Sequence, residues 1–113
     1  MPGYNKLDLL PGTLDLLVLR TLASMGAMHG YGIARRIEQV GGEGVLLNEG
    51  TMYASLVRLQ QSGLISATWG VSENGRKARF YTITRSGSKR LAEATRTWER
   101  TVSMVSRILN ADS

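Results

Sequence analysis

Apolar side chains recur at steps of three and four from Leu14 onward, so that Leu14, Leu17, Val18, Leu22 and Met25 share one helical face. Pro11-Gly12-Thr13 ahead of them forms a turn with Thr13 as a candidate N-cap, and Asp15 sets a negative charge near the positive helix start. The pattern predicts a first helix from about Thr13 to Met25, stopped at Gly26. Ile33, Ile37 and Val40 make the next stripe, with Arg35, Arg36 and Glu38 outside it. This predicts a second helix that follows Met28-His29-Gly30 and halts at Gly41-Gly42. Glu43 to Leu47 contains Val45-Leu46-Leu47 and fits either a short strand or a buried linker. Beyond Asn48, Met52, Leu56 and Leu59 occupy one side and Thr51, Ser55 and Arg58 another, predicting a third helix that ends at Gly63.

The period then shortens to two. Ile65, Ala67 and Trp69 alternate with Ser66 and Thr68, Asn74-Gly75 is a turn signal, and Arg79-Phe80-Tyr81-Thr82-Ile83 is strongly β-forming. Together they predict a two-stranded antiparallel hairpin whose tip is Glu73 to Lys77. Thr84 can cap a last helix from about Ser86 to Leu109, roughly 36 Å long at ~1.5 Å per residue, which is more than so small a body can cover. Leu91, Thr95, Trp98, Val102, Val105 and Leu109 alternate steps of four and three along it, the spacing of a coiled-coil seam, so the helix asks for a partner helix.

Three helices followed by a hairpin is the order of a winged helix-turn-helix, in which the third helix reads DNA and the hairpin is the wing. The expected fold is therefore mainly α (α+β): a winged helix-turn-helix over residues 9–84, with a two-stranded wing, and a long C-terminal dimerisation helix over residues 85–110.

Charge and composition narrow the chemistry. The 113 residues carry a formal net charge of +5 and no cysteine, which favours a polyanionic partner and removes disulfides, thiol catalysis and thiolate metal sites. Across Arg76, Lys77, Arg79, Arg85, Lys89 and Arg90 the only acidic neighbour is Glu73, so the excess is concentrated at the wing and the start of the last helix. The apolar run Leu14 to Leu22 is broken by Asp15 and Arg20 and is too short to span a bilayer. No membrane association is expected, and the chain is expected to be cytoplasmic. Glu38, Glu43, Glu49 and Glu73 are scattered, and His29 is the only histidine. No acid and base pair and no metal or cofactor site is therefore expected, and a binding module is favoured over an enzyme.

Thr51, Ser55 and Arg58 can follow a groove, or Arg58 a phosphate; the same spacing also describes a solvated helix face. Tyr53 lies off the apolar stripe, placed to give its hydroxyl to a phosphate or to pack as a rim residue on the second helix. Asn74 at the tip and Arg76, Lys77 and Arg79 beyond it are expected to touch DNA. Basic residues on an exposed strand also guard against edge pairing. Tyr31, just after Gly30, is placed to meet a phosphate at a positive helix end, and His29 to make a local hydrogen bond.

Four segments in this order resemble the PadR family of bacterial transcriptional regulators, in particular its short members with one C-terminal helix. They are Leu10-Pro11-Gly12-Thr13-Leu14-Asp15, Met28-His29-Gly30-Tyr31-Gly32-Ile33, Gly50-Thr51-Met52-Tyr53, and the wing from Ser72 to Tyr81. The resemblance covers about Leu9 to Leu109. It implies a homodimeric repressor whose last helices form the dimer, with Leu16 and Leu19 of the first helix receiving the partner's, and whose paired winged helices bind double-stranded DNA at a roughly palindromic operator. In some relatives the tryptophan corresponding to Trp98 faces an inter-subunit pocket for planar apolar ligands. Trp98 therefore has two readings, a packing anchor in the seam or a contact for a small apolar or aromatic effector that releases DNA. The chain departs from the family at Ala54, where many relatives carry proline after the tyrosine. The alternative function is a winged helix that docks a protein partner instead of a groove.

Overall fold

The computed structural model describes residues 9–42, 44–45 and 47–111. Helix α1 (Pro11–Met25) begins on proline, where the missing N–H is one that no helix start can pair internally. Leu10 is the extended cap residue, and Thr13, expected to cap, lies inside the helix. The other three helices begin on side-chain caps. His29 Nδ1 accepts from the Gly32 N–H at 3.0 Å at the start of α2 (Gly30–Gly41). Asn48 Oδ1 accepts from the Thr51 N–H at 2.7 Å at the start of α3 (Glu49–Gln61). Thr84 Oγ1 accepts from the Gly87 N–H at 3.0 Å at the start of α4 (Arg85–Leu109).

Strands β2 (Ile65–Val71) and β3 (Lys77–Ile83) pair antiparallel in the register Ile65↔Ile83 through Val71↔Lys77, as the alternation anticipates. The sheet has a third strand that the sequence did not suggest. β1 (Met28–His29) pairs Met28 with Tyr81 and His29 with Phe80, giving the order β1-β3-β2 and a three-stranded sheet in place of the expected two strands. Two residues are too few to carry a period, and their backbone is claimed by the free edge of β3.

Leu14, Val18, Leu19 and Leu22 of α1 meet Ile33 and Ile37 of α2, Met52, Leu56 and Leu59 of α3, and Tyr81 of β3 in one core. Val40, placed on the α2 stripe by spacing, is 70% exposed, because the helix has run past the core by its last turn. Val45 is buried and the Leu47 N–H donates to Glu38 Oε2 at 3.0 Å, so this part of the linker is held without forming a strand. Glu43 and Leu46 lie outside the described residues.

Helix α4 is docked at its start and open beyond. Gly87 is buried so closely that a Cβ there would run into the carbonyl oxygen of Leu64, and Leu91 completes the contact with the core. Two residues expected at a dimer seam, Leu19 at 2% exposure and Leu91 at 8%, are thereby spent inside the protomer. Their spacing fits the seam, but α1 and the first two turns of α4 pack on each other first. From Thr95 onward the seam is exposed, with Trp98, Val102, Val105 and Leu109 all open on this protomer, while Leu16 is half-buried against the core.

Candidate nucleic-acid interface

The core side of α3 is Met52, Ser55, Leu56 and Leu59, and its period of about 3.6 residues turns Gly50, Ala54, Val57 and Gln61 away from the body. Thr51 and Arg58 lie on the flank toward α1, while Tyr53 and Gln60 lie on the flank toward the wing.

On the α1 flank, Asp15 binds α3 twice. Its Oδ1 accepts from Ser55 Oγ at 2.6 Å and from Arg58 Nη2 at 2.8 Å, and its Oδ2 accepts from Arg58 Nε at 3.2 Å. The hydrogen bond and the charge of Asp15 raise the Arg58 pKa above its already high value against a small desolvation cost, so Arg58 stays charged. Asp15 thus serves α3 instead of the start of its own helix, where it stands beyond the first turn. Ser55, expected to face DNA, is fully buried with its hydroxyl committed to Asp15; it lies only about 60° around the helix from Met52, within the core arc. Arg58 is bound to Asp15 instead of standing free beside Thr51, which is exposed.

On the other flank the hairpin tip is tight. Gly75, at φ 75°, donates its N–H to the Ser72 carbonyl at 2.9 Å, and the Ser72 N–H donates to the Arg76 carbonyl at 2.8 Å. The register puts Trp69 across from Arg79 and Val71 across from Lys77 on one face. Lys77 Nζ lies 5.1 Å and the Arg79 guanidinium 5.8 Å from the centroid of the Trp69 ring, which is 63% exposed. Arg79 Nη2 also donates to Gln60 Oε1 on α3 at 3.4 Å.

Between α2, α3 and the wing runs an open groove of about 1000 Å³. It gathers Tyr31, Tyr53, Asn74, Arg76, Lys77 and Arg79, six of the residues singled out in the sequence, and adds Arg35, with Glu38 and Glu49 the carboxylates on its wall. Both tyrosines are exposed, and the Tyr31 hydroxyl accepts from Arg35 Nη1 at 3.1 Å, leaving its own proton free to donate. Asp15, Arg35, Gln60 and Trp69 escaped the sequence reading. For Trp69 the signal was present, since counting back from Asn74-Gly75 sets it opposite Arg79. Arg35 likewise stands one helical turn after Tyr31.

Among the described residues no group of three or more His, Asp or Glu side chains could hold a metal ion, and no helix is long and apolar enough to cross a membrane.

A family model described as the transcriptional regulator PadR-like family matches residues 18–93, more than half of the chain. The chain belongs to the PadR-like family. It is a transcriptional regulator with a winged helix-turn-helix fold. It is 31% identical over 91 residues to an uncharacterized protein of Lysinibacillus sphaericus, covering 80% of this chain and 83% of that one. Among solved structures it is similar to a PadR-like transcriptional regulator of Bacillus cereus, with 27% identity, a TM-score of 0.75, and coverage of 89% of this chain and 95% of that one. A transcriptional regulator of Clostridium thermocellum matches with 28% identity and a TM-score of 0.77, over 85% of this chain and 92% of that one. The PadR-like match begins inside α1 and ends in the third turn of α4, so it takes in α2, α3 and the sheet whole, and with them every residue of the groove.

Proposed function

We propose that this PadR-like regulator binds double-stranded DNA in a sequence-specific manner as a homodimer, and represses transcription from a roughly palindromic operator in the cytoplasm. Residues 9–84 serve as the DNA-binding unit and residues 85–110 as the dimerisation helix. The observation that carries the reading is the placement of an uncompensated basic wing beside the exposed face of α3, the two joined by Arg79 and Gln60. α3 enters the major groove with Thr51 toward the bases, while Arg76, Lys77 and Arg79 take the flanking phosphates and Tyr31 and Tyr53 donate hydroxyl hydrogens to the backbone. A protein partner for this surface would have to be acidic, and a major groove with its phosphates is the simpler match for a helix flanked by cations.

Dimerisation rests on α4. Trp98, Val102, Val105 and Leu109 expose an apolar edge that one protomer leaves uncovered, continued by Leu16 on α1. Trp98, 46% exposed, is the contact at which a small apolar or aromatic effector would act by altering the spacing of the two reading helices. The test is selection of bound fragments from the host genome by the purified protein. Recovery of a shared sequence with two related half-sites supports the reading, and recovery of unrelated fragments, or of none at low salt, opposes it.

A further inference from the structure

Arg58 is the only basic residue of α3, and two of its nitrogens are already occupied. Asp15 engages Nε and Nη2 through both carboxylate oxygens, the forked geometry in which an arginine binds most tightly. The same carboxylate accepts the fully buried Ser55 hydroxyl, so it fixes the rotation of α3 on α1 as well as the arginine. Among the described residues this is the only ion pair, and Arg76, Lys77 and Arg79 of the wing carry no such carboxylate. The interface is therefore electrically divided, with cations on the wing and a neutralised cation on the reading helix.

That division has a consequence for selectivity. A phosphate contact strengthens binding to every sequence alike, through release of counterions, whereas selectivity depends on how the operator compares with the many competing sites. We propose that Asp15 is a specificity-determining residue of the DNA interface: by holding Arg58 it keeps that charge off the phosphates, so α3 offers the groove the neutral edge of Gly50, Ala54, Val57 and Gln61. The proposal rests on the DNA-binding reading above and concerns the division of labour within it. Removing the carboxylate releases Arg58 to the nearest phosphate and raises affinity for all DNA, most visibly where base contacts are absent.

The test compares the slope of log affinity against log salt for the full-length protein on operator and on scrambled duplex, in the wild type, Asp15→Asn, Arg58→Met and the double variant. Asparagine keeps an acceptor for Ser55, and a thermal melt of each variant reports the fold. Asp15→Asn is expected to steepen the slope by about one on both duplexes, one further phosphate being neutralised, and to lower the operator-to-scrambled ratio severalfold. Adding Arg58→Met to it restores the wild-type slope, while Arg58→Met alone leaves the slope unchanged. A slope made shallower by about one in Arg58→Met shows Arg58 on a phosphate despite Asp15 and overturns the proposal, a result readable even where Asp15→Asn does not fold. An unchanged slope in folded Asp15→Asn overturns it too. Failure of the wild type to bind either duplex is a different outcome, which overturns the DNA-binding reading itself.

Discussion

Arg79 joins the wing to the reading helix: its Nη2 donates to Gln60 Oε1 at 3.4 Å while its guanidinium lies 5.8 Å from the centroid of the Trp69 ring. Trp69 also underlies Lys77, so one exposed aromatic holds two cations in place on the same face of the hairpin. Each such contact at an exposed site contributes about 0.5–1 kcal/mol. Trp69→Ala should therefore lower DNA affinity on the order of fivefold with little change in melting temperature, and Trp69→Phe should restore most of the loss. Fluorescence anisotropy on a labelled operator measures both. Equal loss in the two variants would assign the effect to something other than the aromatic face.

Thr51 and Arg76 should fail differently. Arg76→Ala at the wing tip is expected to weaken operator and scrambled DNA alike and to make the salt slope shallower by about one, whereas Thr51→Ala should change the ranking of operator variants with the slope intact. The α3 cap is formed by the Thr51 backbone N–H, so the side-chain change leaves it in place. Loss of ranking in Arg76→Ala would contradict the division.

Gly50 has no partner inside the protomer that requires it. A Cβ there would meet only Asn48 Oδ1, at an ordinary 3.4 Å. Gly50→Ala should leave the fold as stable or more stable, by up to ~1 kcal/mol, yet reduce DNA affinity, because the first turn of α3 is the part that approaches the groove floor. Melting curves and binding isotherms on one preparation decide it, and unchanged affinity would place that turn away from the DNA.

The two ends of α4 should also separate. Val102→Asp places a charge on the open apolar edge and is expected to yield folded monomers in sedimentation with much weaker operator binding. Leu91→Ala, by contrast, creates a cavity in the core and should cost about 2–5 kcal/mol of stability. A stable dimer in Val102→Asp would move the interface elsewhere.

The elements whose signal is local were legible from sequence. Asn48 and Thr84 announce helix starts through side chains that bond three residues ahead, and Asn74-Gly75 announces the turn through its backbone freedom. The basic wing was legible because charge is read directly. What escaped depends on a second element. β1 exists because β3 has an unfilled edge, Ser55 is buried because Asp15 stands forty residues away in sequence with an oxygen to receive it, and Leu91 leaves the seam because Gly87 lets α4 close on Leu64. A period of four and three locates a face but not which neighbour claims it, so Thr51, Ser55 and Arg58 looked equivalent and are respectively exposed, buried and ion-paired.

The most direct measurement of the central claim, that α3 and the wing together hold DNA, is the salt dependence of binding to a fragment selected from the host genome. With Arg76, Lys77 and Arg79 contributed by each of two protomers, the slope of log affinity against log salt should be about −5, and the selected fragment should outcompete scrambled duplex at every salt concentration where binding is measurable. A slope near zero, or equal affinity for the two duplexes, would contradict it.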